Sequence, residues 1–276
     1  MPGKMDELGI GYDQLQKVNP RLIHAAVSGM KSSHNYVKVI MLNFAGYGAG
    51  GPNRKRSGYD VIAAAEAGLL HITGEHDGNP TKPGIGLTDM CTGLYLHGAI
   101  LAALLGRQTT GLGQKIDASL FETQISLLAN VAMTWLNLGQ EAQRWGTAHP
   151  SIVPYEAFET SDSFLVIGAV NNRQFSKLCN LLGNGELADD LRFVDNDSRV
   201  KNRKELKVIL DDLFASKKTE EWLAIFEGSG MPYGPINNMQ QVFSHPQTKA
   251  RDMTKTVDYD ATVSGKLKLL GQLPCL

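Results

Sequence analysis

The sequence has little cysteine and almost no net charge. Its three cysteines, Cys91, Cys179 and Cys275, include no CxxC pair, so we expect neither a disulfide framework nor a zinc site. The formal net charge is −1 over 276 residues, whereas proteins that bind nucleic acid through its phosphates carry an excess of lysine and arginine. We therefore expect no nucleic-acid partner. Local basic sites can still hold a small ligand that carries phosphate.

Long apolar runs are also scarce. A membrane-spanning helix needs about 20 apolar residues, and the longest candidate, around residues 90–105, is interrupted by Gly93, Gly98 and His97. The first residues show neither the apolar centre of a signal peptide nor an arginine-rich amphipathic pattern. The sequence predicts no membrane partner, and it shows no targeting signal.

What the sequence does contain is an aspartate at the start of an apolar helix. Residues 90–105 carry no formal charge, which predicts a buried helix. Asp89 follows Thr88, where a side-chain oxygen can accept the free N–H groups of the first helical turn. One interpretation makes Asp89 an N-cap, and the other makes it a reactive carboxylate. Spacing alone does not decide between them.

Hydrophobic patterning predicts an α/β chain with a second, α+β part. In the first part we expect strands at 21–28, 36–44 and 114–118, and helices at 12–18, 59–70, 89–106 and 119–138. The composition changes at 139–154. Beyond it we expect a hairpin of 153–158 with 164–170, helices at 172–183, 198–215 and 219–227, and two strands within 254–270. The domain boundary is placed near residue 150.

Several segments occur in an order that resembles the class III CoA-transferase family, which includes formyl-CoA transferase and carnitine CoA-transferase. They are residues 56–69, 74–83, the Asp89 helix and 107–119. Two further segments, 144–158 and 228–239, resemble most closely the branch of the family that uses succinyl-CoA and glutarate. The resemblance covers roughly residues 1–29 and 47–270.

This resemblance implies an architecture and an activity. Residues 1–150 would form a partial Rossmann-like large domain that binds CoA, residues 151–250 a small α+β domain, and residues 251–276 the start of a return to the large domain. Asp89 would be the nucleophile in a transfer of CoA from succinyl-CoA to a glutarate-like acid, through an aspartyl anhydride and an aspartyl-CoA thioester. CoA and acyl-CoA are then substrates, with no permanently bound cofactor. The family also implies an interlocked homodimer and a mitochondrial location.

The resemblance assigns further residues. Those expected at the CoA are Pro2, Gly3, Ser28, Tyr47, Gly48, Arg54 and Arg56; those expected at the substrate or in a lid over the site are Tyr59, Arg144, Gly146, Thr147 and His149. A racemase of the same superfamily has a histidine at the position of Tyr59, so this chain is expected to be a poor racemase. No metal site is expected, because His71 and His76 are loosely placed and have no third ligand.

Alternatives stay open for several of these residues. Arg54 and Arg56 belong to a basic run that can bind phosphate or simply face solvent. The segment around Gly146 is either a lid or an interdomain linker. His149 either bonds an acyl carboxylate or faces solvent. At the level of function, the alternatives are a non-catalytic fragment of such an enzyme, and an acyl-CoA racemase or lyase.

The sequence departs from the family pattern in two ways. It looks truncated at both ends, and residues 30–46 intervene between Val27-Ser28-Gly29 and Tyr47-Gly48, which are adjacent in the family. The intervening segment is interpreted as a short retained intron, since its 17 codons would keep the reading frame. The alternative is a genuine insertion that forms an extra strand.

Overall fold

The computed structural model describes residues 4–28 and 46–271. It divides the chain into two compact units, Met1–Gly146 and Thr147–Leu276. The predicted boundary lay near residue 150. Residues Pro2, Gly3 and Cys275, the predicted strand 36–44 and most of the segment 30–46 lie outside the described residues.

The first unit is built on two parallel strands, β1 (His24–Ser28) and β2 (Lys115–Ser119), in which Ser28 pairs with Ser119. Its helices are α1 (Lys4–Glu7), α2 (Tyr12–Val18), α3 (Asp60–Glu66), α4 (Leu69–Ile72), α5 (Leu87–Thr110), α6 (Leu120–Leu127) and α7 (Ala129–Leu138). Parallel strands with helices packed against them define an α/β unit, which confirms the predicted class.

Two predicted helices are each broken in two. The helix expected at 59–70 is divided at Gly68, whose φ of +87° is left-handed. The helix expected at 119–138 is divided between α6 and α7, where Ala129 has a φ of 45°. A left-handed residue ends the helical hydrogen-bond pattern. The break at Ala129 has no glycine or proline to indicate it in the sequence.

Helix α5 is less buried than its composition predicts. It contacts β1, β2, α3 and α6, and its buried residues are Thr88, Thr92, Leu96 and Ala103. Large apolar side chains on its other faces are exposed, namely Met90, Leu94, Tyr95, Leu101 and Leu105. The prediction of a buried helix is therefore wrong for the described residues, because they cover only one face of it.

The same helix corrects a second expectation. By length and composition alone, the 24 residues of α5 are apolar enough to cross a membrane. Gly93, Gly98 and His97 do not interrupt it, since all three lie within continuous helix. The core helix of a soluble protein meets the same criterion, so α5 by itself is weak support for a membrane location.

The second unit contains a three-stranded antiparallel sheet. The predicted hairpin is present as β3 (Tyr155–Glu159) and β4 (Phe164–Gly168), and β4 also pairs with β5 (Tyr233–Pro235). The helices are α8 (Asn172–Leu181), α9 (Asn196–Lys201), α10 (Arg203–Ala215), α11 (Thr219–Phe226), α12 (Met239–Ser244) and α13 (Pro246–Ala250), with a 3₁₀ turn at Gly185–Ala188. The predicted final strands pair as β6 (Thr254–Asp258) and β7 (Lys266–Leu270). The helix expected at 198–215 is divided between α9 and α10.

An aromatic cluster forms the core of the second unit. Phe158 stacks on Phe214 with ring centroids 4.7 Å apart, and Trp222 meets Phe214 edge-on at 5.3 Å. All three are buried, and the Trp222 Nε1–H donates to the Phe214 carbonyl at 2.8 Å. Aromatic pairs of this geometry add stabilisation beyond the area that they bury. The cluster therefore fixes α10 and α11 against the sheet.

Candidate active site

Asp89 lies in the first turn of α5 but does not cap it. The N-cap position belongs to Gly86, which makes no side-chain capping bond. The N-cap interpretation of Asp89 is therefore wrong, because α5 begins at Leu87, two residues earlier than the Asp89 that the apolar pattern predicts as its start. An anion in the first turn still gains from the helix dipole. The carboxylate is left available for another role.

Asp60 supplies the capping interaction instead. Its Oδ1 accepts the Asp89 backbone N–H at 3.0 Å. Asp60 is the first residue of α3, so the side chain at the start of one helix bonds the start of another. The two residues are 29 positions apart, and no local pattern connects them.

Buried hydroxyl groups fix the first turn of α5. The Thr88 hydroxyl donates to Gln124 Oε1 on α6 at 2.8 Å, and the Thr92 hydroxyl donates to the Thr88 carbonyl at 2.7 Å. Thr88, Thr92 and Gln124 are all buried. Because their polar atoms are paired inside the unit, they hold the backbone of Asp89 in one place.

The Asp89 carboxylate is half-buried and has a raised pKa. Burial is the larger cause, and the charge of Asp60 is the smaller one. Among the described residues, no donor bonds the carboxylate oxygens. A carboxylate that is poorly solvated and has no donor on its oxygens suits a nucleophile.

Tyr47 and Arg56, both predicted at the CoA, meet at the other end of α3. The Tyr47 hydroxyl donates to Glu66 Oε2 at 2.8 Å, and Arg56 forms an ion pair with the same carboxylate. The Arg56 guanidinium also lies 5.3 Å from the centroid of the Tyr47 ring. Burial, followed by the bond to Glu66, raises the pKa of Tyr47. A phosphate at Arg56 would have to compete with Glu66.

The loop that carries Tyr47 is bonded to β2. Gly48 has a φ of +86°, which favours glycine, and the next N–H, of Ala49, donates to Asp117 Oδ2 at 2.8 Å. Ser28, another predicted CoA residue, ends β1 beside Ser119. The loop and the end of β1 therefore lie at the carboxyl edge of the parallel pair, where open α/β sheets bind ligands.

Arg54 and Tyr59 are exposed. Arg54 lies in a turn, where its N–H donates to the Gly51 carbonyl at 3.4 Å. Tyr59 is the N-cap of α3, directly before Asp60, and 59% of its surface is accessible. The exposure leaves both side chains free to meet a ligand, and their roles stay predictions.

The predicted lid segment spans the boundary between the two units, and each part of it is bonded within its own unit. In the first unit the Arg144 guanidinium donates to the carbonyls of His71 and Glu75, and the Gly146 N–H donates to the Gly74 carbonyl at 2.9 Å. In the second unit Thr147 Oγ1 accepts the Ala157 N–H at 2.9 Å, and the His149 N–H donates to the Tyr155 carbonyl at 2.9 Å. The lid and the interdomain linker therefore both stay predictions for this segment.

Within residues 4–28 and 46–271 no group of three or more His, Cys, Asp or Glu side chains is placed to hold a metal ion. His71 lies 3.3 Å from Glu141, and His76 lies 2.9 Å from Asp77. Both histidines therefore have single carboxylate neighbours on an exposed surface.

Comparison with known proteins identifies the class. A model of CoA-transferase family III matches residues 31–274, and the chain belongs to this family. The matched range begins inside the segment 30–46, so it includes residues that the sequence analysis set outside the family pattern. That part of the sequence interpretation finds no support in the match.

Individual relatives show which members of the family this chain is similar to. An acyl-CoA transferase from Fusarium pseudograminearum is 55% identical over 270 residues, covering 98% of this chain and 56% of its own length. A succinyl-CoA:glutarate CoA-transferase from Mus musculus is 45% identical over 271 residues, covering 98% and 58%. The crystal structure of a CAIB/BAIF family protein from Brucella suis aligns with a TM-score of 0.77 at 39% identity, over 93% of this chain and 63% of that one. The chain thus spans 56–58% of the length of these two curated relatives.

Proposed function

We propose that this protein transfers CoA between dicarboxylic acids, from succinyl-CoA to a glutarate-like acceptor, with Asp89 as the nucleophile. The observation that carries the proposal is that two neighbouring aspartates have different roles. Asp60 bonds the first turn of α5, so the half-buried Asp89 carboxylate is left without a hydrogen-bond donor among the described residues. The relatives' names supply the substrate class.

The chemistry needs no external base. The Asp89 carboxylate attacks the thioester carbonyl of succinyl-CoA, the C–S bond breaks, and CoA leaves as the thiolate. The thiolate then attacks the aspartyl carbonyl of the mixed anhydride, which releases succinate and leaves an aspartyl-CoA thioester. The acceptor carboxylate displaces the thiolate to form a second anhydride. Attack of the thiolate on the acceptor carbonyl gives the new acyl-CoA and restores Asp89.

The fixed backbone at the start of α5 supports these steps. A carboxylate is a weak nucleophile, and covalent catalysis compensates by dividing one difficult transfer into easier ones. The buried bonds of Thr88, Thr92 and Gln124 hold Asp89 in a single geometry, which favours attack. The negative charge that develops on the carbonyl oxygen would be stabilised by N–H groups at a helix start.

The remaining site residues are proposed on the same basis. Ser28, Tyr47, Gly48, Arg54 and Arg56 would contact CoA, together with Pro2 and Gly3. Tyr59, Arg144, Gly146 and Thr147 would line the acyl site. The resemblance to the family also supports a homodimeric assembly and a mitochondrial location. Tyr59, in place of the racemase histidine, disfavours proton exchange at the α-carbon.

The mechanism predicts the path of one oxygen atom. Each turnover passes a carboxylate oxygen of Asp89 to succinate and replaces it with one from the acceptor. With heavy-oxygen-labelled glutarate and succinyl-CoA, mass spectrometry should find label first in the peptide containing Asp89 and then in succinate. The Asp89→Asn variant should lose more than a thousandfold in turnover, since nucleophile removal leaves only binding and electrostatic effects.

Asp77→Asn is the matched control, because Asp77 is an exposed aspartate of the same unit. Its turnover should equal that of the unaltered protein. Succinate that stays unlabelled during CoA transfer would refute the anhydride path, and a fully active Asp89→Asn variant would refute the nucleophile. Deuterium uptake at the α-carbon without CoA transfer would indicate a racemase.

A further inference from the structure

Glu66, the last residue of α3, is a charged side chain that the proposed function does not use. An anion at the carboxyl end of a helix is unfavourable, because the helix dipole places partial negative charge there. The last turn of α3 holds no basic residue that would offset this charge. The partners of Glu66 therefore come from another segment of the first unit.

Two residues that precede α3 meet the Glu66 carboxylate, one at each oxygen. The Arg56 Nη2 lies 2.5 Å from Oε1, and the Tyr47 hydroxyl donates to Oε2 at 2.8 Å. The Arg56 guanidinium also lies 5.3 Å from the centroid of the Tyr47 ring, within the range of a cation–π contact. Each member of this set, here called the Glu66 cluster, thus contacts the other two.

Both partners of Glu66 are also held by their own surroundings. The Tyr47 ring packs on Phe121 with centroids 5.6 Å apart, and the Arg56 N–H donates to the Asn53 carbonyl at 2.8 Å. Half of the Arg56 side chain is accessible. Within residues 4–28 and 46–271, Glu66 is the only acceptor that the Arg56 guanidinium bonds. Its remaining N–H groups can therefore reach a ligand.

The Glu66 cluster lies where a ligand that carries phosphate can approach it. The loop of Tyr47 is at the carboxyl edge of β1 and β2, and open α/β sheets bind ligands at this edge. Carboxylate and phosphate satisfy arginine in the same way, because both offer paired anionic oxygens. Glu66 therefore holds two donors, Arg56 and Tyr47, that a phosphate group can use.

We propose that Glu66 limits the affinity of the protein for CoA by competing with a CoA phosphate for Arg56 and Tyr47. The phosphate displaces the carboxylate on binding, and no covalent bond is made or broken. This role rests on the proposed CoA transfer, and it adds a residue that the predicted site does not contain. One ion pair must break before the other forms, which weakens the binding of CoA. Limited affinity aids turnover, because product release limits the rate of many enzymes.

Direct binding of CoA to the full-length protein tests the competition. Glu66→Gln keeps an acceptor oxygen and removes the charge. Its dissociation constant for CoA, measured by calorimetry, should be about two- to fivefold lower than that of the unaltered protein, which corresponds to one exposed ion pair. Glu66→Asp keeps the charge on a shorter side chain, so its constant should lie between the two. Glu141→Gln is the matched control, since Glu141 is an exposed carboxylate of the same unit that pairs with His71.

Three succinyl donors identify the group that competes. CoA carries a 3′-phosphate and a diphosphate, 3′-dephospho-CoA carries the diphosphate alone, and pantetheine carries neither. Glu66→Gln should raise kcat/KM for succinyl-CoA and leave it unchanged for succinyl-pantetheine. A gain that persists with the 3′-dephospho donor locates the diphosphate at Arg56, and a gain that disappears locates the 3′-phosphate there. Either result supports the competition, whereas an equal gain with succinyl-pantetheine would overturn it.

A double-mutant cycle tests whether Glu66 acts through Arg56. Arg56→Gln should weaken the binding of CoA, because it removes a charged donor. In that background Glu66→Gln should have little further effect, since the group for which the two anions compete is gone. Thermal unfolding of each variant verifies that it is folded. A full gain from Glu66→Gln in the Arg56→Gln background would overturn the assignment of Arg56 as the shared partner.

The proposed function and the competition can fail separately. Unchanged or weaker CoA binding by folded Glu66→Gln would overturn the competition, since a carboxylate that only orients Arg56 assists the ligand. CoA transfer would then stand. Binding of CoA without transfer by the unaltered full-length protein would overturn the proposed function alone. Absence of both binding and transfer would overturn the two together.

Discussion

At the scale of single residues, the site depends on two carboxylates at the starts of two helices. The Asp60 carboxylate accepts the Asp89 N–H. Its charge is also the second cause, after burial, of the raised pKa of Asp89. The arrangement stabilises the backbone of α5 and destabilises the ionised Asp89 side chain. Such opposition between stability and reactivity is common at functional sites.

This opposition gives a pH-dependent prediction. Because the pKa of Asp89 is raised in the folded state, ionisation of Asp89 disfavours folding. This cost in stability grows as the pH rises from the ordinary pKa of an aspartate through the raised pKa of the folded state. Asp89→Asn should therefore increase Tm at neutral pH, and the increase should vanish in acid, where the parent carboxyl is protonated. Thermal unfolding from neutral pH downward measures this. A Tm difference that grows in acid would contradict it.

Gly146 gives a second prediction at this scale. Its φ is +57°, and a Cβ atom would lie 2.7 Å from Glu75 Oε2. We expect Gly146→Ala to cost about 1–2 kcal/mol through the left-handed backbone, with a further cost from Glu75. In the Glu75→Ala background only the backbone cost should remain. Denaturant unfolding of the four proteins measures the coupling, and a cost that is unchanged by Glu75→Ala would show that the side chain moves aside freely.

At the scale of elements, the sequence predicted those helices and strands that depend on the residues nearby in the chain. The hairpin of β3 and β4 was predicted from two β-rich runs around a polar turn, and α5 from a long uncharged run. Long-range contacts were not predictable. The bond of Asp60 to Asp89 and the bond of Arg199 to the Val153 carbonyl join positions that no periodicity relates. The helix break at Ala129 is likewise not indicated by any local pattern. The catalytic candidate was found from the sequence, and its supporting contacts were not.

The exposed faces of α5 give a prediction about that helix. Cβ atoms at Gly93 and Gly98 would meet nothing within 4 Å, and glycine in a helix interior is less stable than alanine by about 0.5–1 kcal/mol. Gly98→Ala should therefore stabilise the protein by that amount in denaturant unfolding. Ala103→Gly, at a buried position, should destabilise it by more. A destabilising Gly98→Ala would show that another segment or chain packs closely on this face.

At the scale of the whole molecule, residues 30–46 pose the main question. The family match includes most of them, whereas the sequence interpretation sets them outside the family pattern. The described residues on either side lie close together. Ser28 pairs with Ser119 at the end of β2, and the Gly46 carbonyl accepts the Phe121 N–H at 3.0 Å. Direct joining of Gly29 to Tyr47 is therefore compatible with the fold. Transcripts that join these codons would support a retained intron, and abundant mature message with all 17 codons would exclude it.

Deletion of residues 30–46 tests the same idea in the protein. A Cβ atom at Gly46 would lie 2.8 Å from Gly58 Cα, so this place accepts only glycine, and in the shortened chain Gly29 would fill it. We expect the deletion variant to fold with an equal or higher Tm, measured by thermal unfolding. Gly29→Ala should destabilise the shortened chain as Gly46→Ala destabilises the parent, while Gly50→Ala, at an open position, should affect neither. A shortened chain that fails to fold would show that the segment is part of the structure.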